Sequence, residues 1–178
     1  GEGDSARLRA LCGELGLGCD VIGEVMLDGI VISSTHIRTL IQAGDMEGAA
    51  RFLGHPHVLT GPVVHGKQLG RTIGIPTSNL VVPEGVLMPA FGVYATKVWV
   101  GERDYLAVTN VGVRPTVDDH SHRVTVEPWI LDFDGDLYGK EIRVEFYKQL
   151  RRERKFDSVE ELRAAILKNA DETREYFK

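Results

Sequence analysis

The chain has 178 residues, 43% of them apolar, and a formal net charge of −5 with acidic and basic side chains interspersed. That is enough apolar material for one sizeable packed domain and a smaller piece. The acidic balance disfavours a general nucleic-acid binder, which needs a basic face to release counterions, and no apolar run approaches a membrane-spanning length.

Taken in chain order, residues 5–16 predict an amphipathic helix, with Leu8, Leu11, Cys12 and Leu15 spaced for one face. The apolar run Val21–Val25 predicts a short strand. Ser34 can cap a helix running to about Ala43 and closed by Gly44, and Asp45 a second one ended by Gly54 and Pro56. These pieces are too small for a core of their own, so they are expected to pack on the larger C-terminal domain or to fray. His55 and His57 flank Pro56 in an expected linker and have no ligand.

From His57 the hydrophobic period changes. Runs at about 58–64, 78–82, 91–100, 105–111, 123–133 and 141–149 are rich in Val, Ile, Tyr and Thr, with Gly101-Glu102-Arg103-Asp104 as a hairpin turn. Six short strands at such spacing predict a mainly β chain closed into an antiparallel barrel, which leaves no exposed edge. Ser158 with Glu161 forms a capping box that opens a last helix, its face carrying Val159, Leu162, Ile166 and Ala170. The only cysteines, Cys12 and Cys19, have neither redox spacing nor the partners of a zinc site, and read as reduced thiols of a cytoplasmic protein. The acidic, polar start Gly1-Glu2-Gly3-Asp4 gives no sign of a leader peptide.

The segment from Gly66 to Asn79 carries the chemistry. Gly66, Gly70 and Gly74 leave the backbone bare at four-residue intervals, so that N–H groups can approach phosphate oxygens. Lys67 and Arg71 add positive charge, and Pro76 stiffens the exit. Thr77 and Asn79 then offer a hydroxyl and an amide oxygen two residues apart, on one side of an extended chain. Two neutral oxygens suit Mg²⁺ that arrives already bound to phosphates. A P-loop is the rival reading, since Gly61 to Lys67 has its glycine spacing and lysine. It fails at Gln68, where Ser or Thr would hold the metal, and at Gly70, Gly74 and Pro76, which no helix could pass.

A base is found in the run Arg123–Leu131, where Val124, Val126 and Ile130 share one face while Arg123, Thr125, Glu127 and Trp129 share the other. Glu127, a carboxylate beside an aromatic on a barrel face, is placed to accept a proton. Pro128 inside this run predicts an edge or a bulge. Asp118-Asp119-His120-Ser121-His122 reads as a hydrophilic loop, not a metal site.

Several motifs occur in one order: Gly61-Pro62-Val63-Val64-His65-Gly66, Gly70-Arg71, Gly74-Ile75-Pro76-Thr77-Ser78-Asn79-Leu80, Gly92-Val93-Tyr94-Ala95, Asn110-Val111-Gly112-Val113-Arg114-Pro115-Thr116, Thr125-Val126-Glu127, Asp136-Leu137-Tyr138-Gly139 and Leu150-Arg151-Arg152-Glu153-Arg154-Lys155-Phe156. The series closely resembles riboflavin kinase, the C-terminal module of the bacterial bifunctional riboflavin kinase/FAD synthetase. The resemblance covers residues 57–178. Residues 1–56 resemble the tail of the preceding adenylyltransferase module through Ile32-Ser33-Ser34-Thr35-His36-Ile37-Arg38.

The resemblance implies a six-stranded Greek-key barrel with a C-terminal helix, preceded by a small α/β remnant. It implies ATP:riboflavin 5′-phosphotransferase activity with Mg²⁺, ATP and riboflavin as ligands and FMN and ADP as products; composition, as above, argues against nucleic acid or membrane as partner. It makes Glu127 the catalytic base and Thr77 and Asn79 the metal and ATP ligands. Gly66, Gly70, Arg71, Gly74 and Tyr138 complete the ATP site, and Arg151, Arg154 and Phe156 cover the flavin. Pro128-Trp129 departs from the family, which often has a small residue and histidine there. FAD synthesis is expected only of a longer parent protein, because the other half of the adenylyltransferase pattern is not in this sequence. The alternative is a flavin-binding barrel without catalysis.

Overall fold

The computed structural model describes residues 4–65, 74–115 and 122–178. They fall into two compact units, one ending at Ser33 and the other running from Ser34 to Lys178.

In the first unit, α1 (Ser5–Glu14) is capped by Asp4, whose carboxylate accepts from the Arg7 N–H at 2.8 Å. The predicted apolar face of α1 is not covered: Leu8, Leu11 and Leu15 are exposed. The strand expected at Val21–Val25 is displaced. Pairing occurs instead between β1 (Met26–Leu27) and β2 (Ile30–Val31). The cause is the turn Asp28-Gly29, both at positive φ, the Asp-Gly signal of a tight hairpin.

The second unit begins with α2 (Ser34–Ala43) and α3 (Met46–Leu53). Ile41, Met46 and Ala49 join the barrel's own core residues in one cluster, so the helix pair packs on the barrel. The strands are β3 (His57–Val64), β4 (Asn79–Leu80), β5 (Gly92–Val100), β6 (Arg103–Pro115), β7 (His122–Ile130) and β8 (Glu141–Arg152). They close in the order β3-β4-β7-β6-β5-β8, every pair antiparallel. β5, β6 and β7 are consecutive neighbours and β8 returns beside β5, which is the Greek-key order. Leu59, Val63, Leu80, Tyr94, Val98, Val111, Val126, Val144 and Phe146 fill the interior. The last helix, α4 (Val159–Tyr176), is capped by Ser158, which accepts from the Glu161 N–H. Its Ala170 packs outside the barrel over Val93, Val108 and Leu131. No described helix is long and apolar enough to cross a membrane.

Two departures refine the sequence reading. Pro128 makes no bulge, for the β6–β7 register runs unbroken past it. Its carbonyl accepts from Ser78 N–H, so the donor it lacks faces Ser78, where the two-residue β4 begins, and only the return bond of that terminal pair is missing. His57 is not in a linker but opens β3, and its Nε2 lies 3.0 Å from the Leu87 carbonyl. Of the expected loop Asp118–His122, residues 118–121 lie outside the described residues, and His122 is not in a loop but opens β7.

Burial lowers the His57 pKa, partly countered by the Leu87 hydrogen bond and reinforced by His55. The unfolded chain, with histidine near 6.5, then binds this proton more readily than the folded one. Stability is therefore full above about pH 6.5 and falls as pH drops towards the folded value. Urea midpoints compared at about pH 7.5 and 5.5 should fall less on acidification in His57→Gln than in the wild type; an equal fall would exclude this histidine.

Candidate functional site

The site is built on β4. Its residues reach the closing position because Gly61 has no side chain: a Cβ there would stand 1.9 Å from the Val81 carbonyl oxygen. With that space open, Val81 N–H donates to Pro62 O and Leu80 pairs with Val63 on one side and Val126 on the other. Leu80 and Val126 point into the core. One step back along β4 and one on along β7, Asn79 therefore faces Glu127 on the outer surface. Ser78 N–H bonds to Pro128 O, so Asn79 and Glu127 form the adjacent, non-hydrogen-bonded kind of pair, whose side chains stand closest.

This row continues around the barrel. Glu127 pairs with Asn110, Asn110 with Val93, and Val93 with Arg151. Burial follows the same alternation: Val126, Pro128 and Ile130 are buried, whereas Thr125, Glu127 and Trp129 are half-buried outside. Trp129 and Val93 lie in the apolar patch beneath α4, so Glu127 stands at the edge of that covered patch.

Thr77 leads into a neighbouring cleft of about 360 Å³, lined with Pro76, Thr77, Ser78, Phe133, Asp136 and Tyr138 among others. Tyr138 is brought there by a turn in which its N–H donates to Asp136 Oδ1. Gly139 follows at φ +74°, a conformation that favours glycine, and its N–H donates to Val63 O. The ring of His65 stacks on Tyr138, centroids 3.5 Å apart. Asn79 and Glu127 are not among the described lining residues of the cleft; Thr77 and Asn79, two residues apart, link it to the outer row. Gly74 lies just before this stretch. Gly66, Gly70 and Arg71 lie outside the described residues.

At the other end of the row, two guanidiniums approach the Phe156 ring, Arg151 at 5.1 Å and Arg154 at 4.6 Å. Burial, with Arg154 nearby, pulls the Arg151 pKa below its ordinary value. Arg151 Nε donates to Asn169 Oδ1 at 3.0 Å, and Asn169, on the buried face of α4, donates in turn to Glu172. Sequence reasoning gives Asn110 and Asn169 no role. The signal for Asn169 was a polar residue beside Ala170 on the helix's apolar face; for Asn110 it was an amide in the mostly apolar run Leu106–Val113.

Thr77 and Asn79 offer only neutral oxygens, and no group of three His, Cys, Asp or Glu that could hold a metal occurs among the described residues. That donor set fits a divalent ion delivered on phosphates better than a resident one.

The profile of the flavokinase (riboflavin kinase) family matches residues 53–177. A relative from Bacillus subtilis, named bifunctional riboflavin kinase/FMN adenylyltransferase, is 38% identical over 90% of this chain and 51% of its own length. One of the same name from Escherichia coli is 42% identical over 84% of this chain and 47% of its own. The chain thus spans about half the length of these relatives. Among solved structures, a Streptococcus pneumoniae chain named a macrolide-efflux protein aligns with TM-score 0.86 and 34% identity over 97% of this chain and 55% of that one. Riboflavin kinase from Trypanosoma brucei aligns with TM-score 0.51 and 28% identity over 68% of this chain and 80% of that one.

Asn169→Ala should leave the Arg151 guanidinium with one acceptor fewer. A double-mutant cycle with Arg151→Met is expected to read a coupling of about 1 kcal/mol in unfolding free energy. Zero coupling would mean that the bond orients nothing.

Proposed function

Because this chain belongs to the riboflavin kinase family, we propose that it transfers the γ-phosphoryl group of ATP to the 5′-hydroxyl of riboflavin, giving FMN and ADP. The observation that carries the reading is the register that sets Asn79 beside Glu127, next to the cleft of Thr77 and Tyr138. Phosphoryl transfer asks for an aligned hydroxyl, an acceptor for its proton and neutralised phosphate charge. Glu127 is the base, its carboxylate taking the proton as the hydroxyl oxygen attacks. Tyr138 lies along the nucleotide, and Gly74 admits its phosphates. Gly66, Gly70 and Arg71 enter as further phosphate contacts on motif alone. Thr77 and Asn79 hold Mg²⁺, which when bound with ATP offsets the charge of the phosphates.

Arg151, Arg154 and Phe156 receive the flavin ring. Arg151 lies three strand spacings along the sheet from Glu127, roughly 14 Å, which suits a ring separated from its reacting hydroxyl by a polyol chain. A barrel that only stored flavin would have no use for Thr77, Asn79 and Glu127 together. Residues 1–56 are read as the end of an adenylyltransferase module and 57–178 as the kinase. A cytoplasmic location is supported by the unpaired thiols of Cys12 and Cys19.

Glu127→Gln should lower kcat by about 10²–10⁴ while the KM for ATP stays near normal. An unchanged kcat removes Glu127 from the mechanism. Incubated with riboflavin and Mg-ATP, the chain should yield FMN and, given FMN and ATP, no FAD. Separation of the flavins by chromatography reads both results, and failure to form FMN would refute the kinase reading.

A further inference from the structure

Between the proposed base and the Arg151–Phe156–Arg154 stack lies a small polar spot. Gly112 follows Asn110 by two residues on β6 and so shares its outer face, and it pairs with Thr125 next to Glu127. A Cβ placed on Gly112 would meet Glu153 Oε1 at 2.8 Å and Asn110 Nδ2 at 3.3 Å. An exposed carboxylate from the exit of β8 and a half-buried amide from β6 therefore converge over one bare backbone position.

The position matters because of what must pass over it. If the reacting hydroxyl is at Glu127 and the aromatic ring at Phe156, the chain that leaves Glu127 passes first over β6, at Asn110 and Gly112, before β5 and β8. That chain is a polyol, whose hydroxyls need acceptors and donors when they leave water. Glu153 supplies a charged acceptor, and Asn110 both kinds of group. A side chain at residue 112 would meet both groups and push the Glu153 carboxylate aside.

We propose that Glu153 and Asn110 form the polyol subsite, gripping the hydroxyls of the chain and setting specificity for a flavin that carries it. The inference rests on the kinase reading and adds the residues that recognise the middle of its acceptor. Glu153 lies at the exposed exit of β8, so Glu153→Ala should fold normally; Asn110→Thr, a strand-forming replacement, tests the second member.

The experiment measures dissociation constants by quenching of flavin fluorescence for riboflavin and for lumiflavin, which has the ring and a methyl group in place of the polyol. Glu153→Ala should weaken riboflavin about tenfold or more, as expected for a lost hydrogen bond to a charged group. Lumiflavin affinity and the KM for ATP should stay within about twofold, and the riboflavin loss should appear in KM more than in kcat. Asn110→Thr should show the same selectivity. Unchanged riboflavin affinity in both variants would overturn the subsite. Equal weakening of lumiflavin would also overturn it, because the residues would then be placing the ring-binding loop. If the unaltered chain binds neither flavin, the kinase reading itself falls and takes this inference with it.

Discussion

Leu80 pairs with Val63 on one side and Val126 on the other, and through this one residue the barrel closes. A closed sheet has no edge strand to leave a row of backbone donors and acceptors unpaired. Closure by so short a strand demands close approach, which the bare Cα of Gly61 permits. Anything that moved Leu80 by one residue would turn Asn79 inward and Leu80 out. The same contact that seals the core therefore also aims the proposed metal ligand at the proposed base.

The barrel is used from outside. Its interior is filled by side chains such as Tyr94, Val98 and Phe146, leaving the polar work to the opposite face of each strand. α4 covers part of that face and, through Asn169, holds Arg151 at its border. Glu127 at the edge of the covered patch and Arg151 beside the helix bound a strip that crosses β7, β6, β5 and β8. A long substrate with a reacting end and a flat end suits such a strip better than a round pocket.

Much of this was legible in the residues. Strict alternation in Val124–Ile130 separated Glu127 from the core, and the caps Asp45 and Ser158 opened helices where their side chains could accept N–H bonds. Thr77 and Asn79 were readable because proline and glycine punctuate the segment around them. Other features were not. Val21–Val25 has strand composition, but the Asp28-Gly29 turn placed the pairing after it. Pro128 signals a broken strand by local rules, yet its missing donor removes only one terminal bond where β4 begins. Asn110 and Asn169 gain their meaning only from what lies across from them.

The sequence by itself determined the strand and helix types, the inward and outward faces, and the chemical character of the candidate groups, because these depend on short-range periodicity and side-chain chemistry. Tertiary structure alone decided which outward faces meet. Asn79, Glu127, Asn110 and Arg151 are drawn from four strands, far apart in the chain, and their adjacency comes from sheet register and barrel closure. Register is set by the packing of the whole core at once, and no local window of residues contains that information.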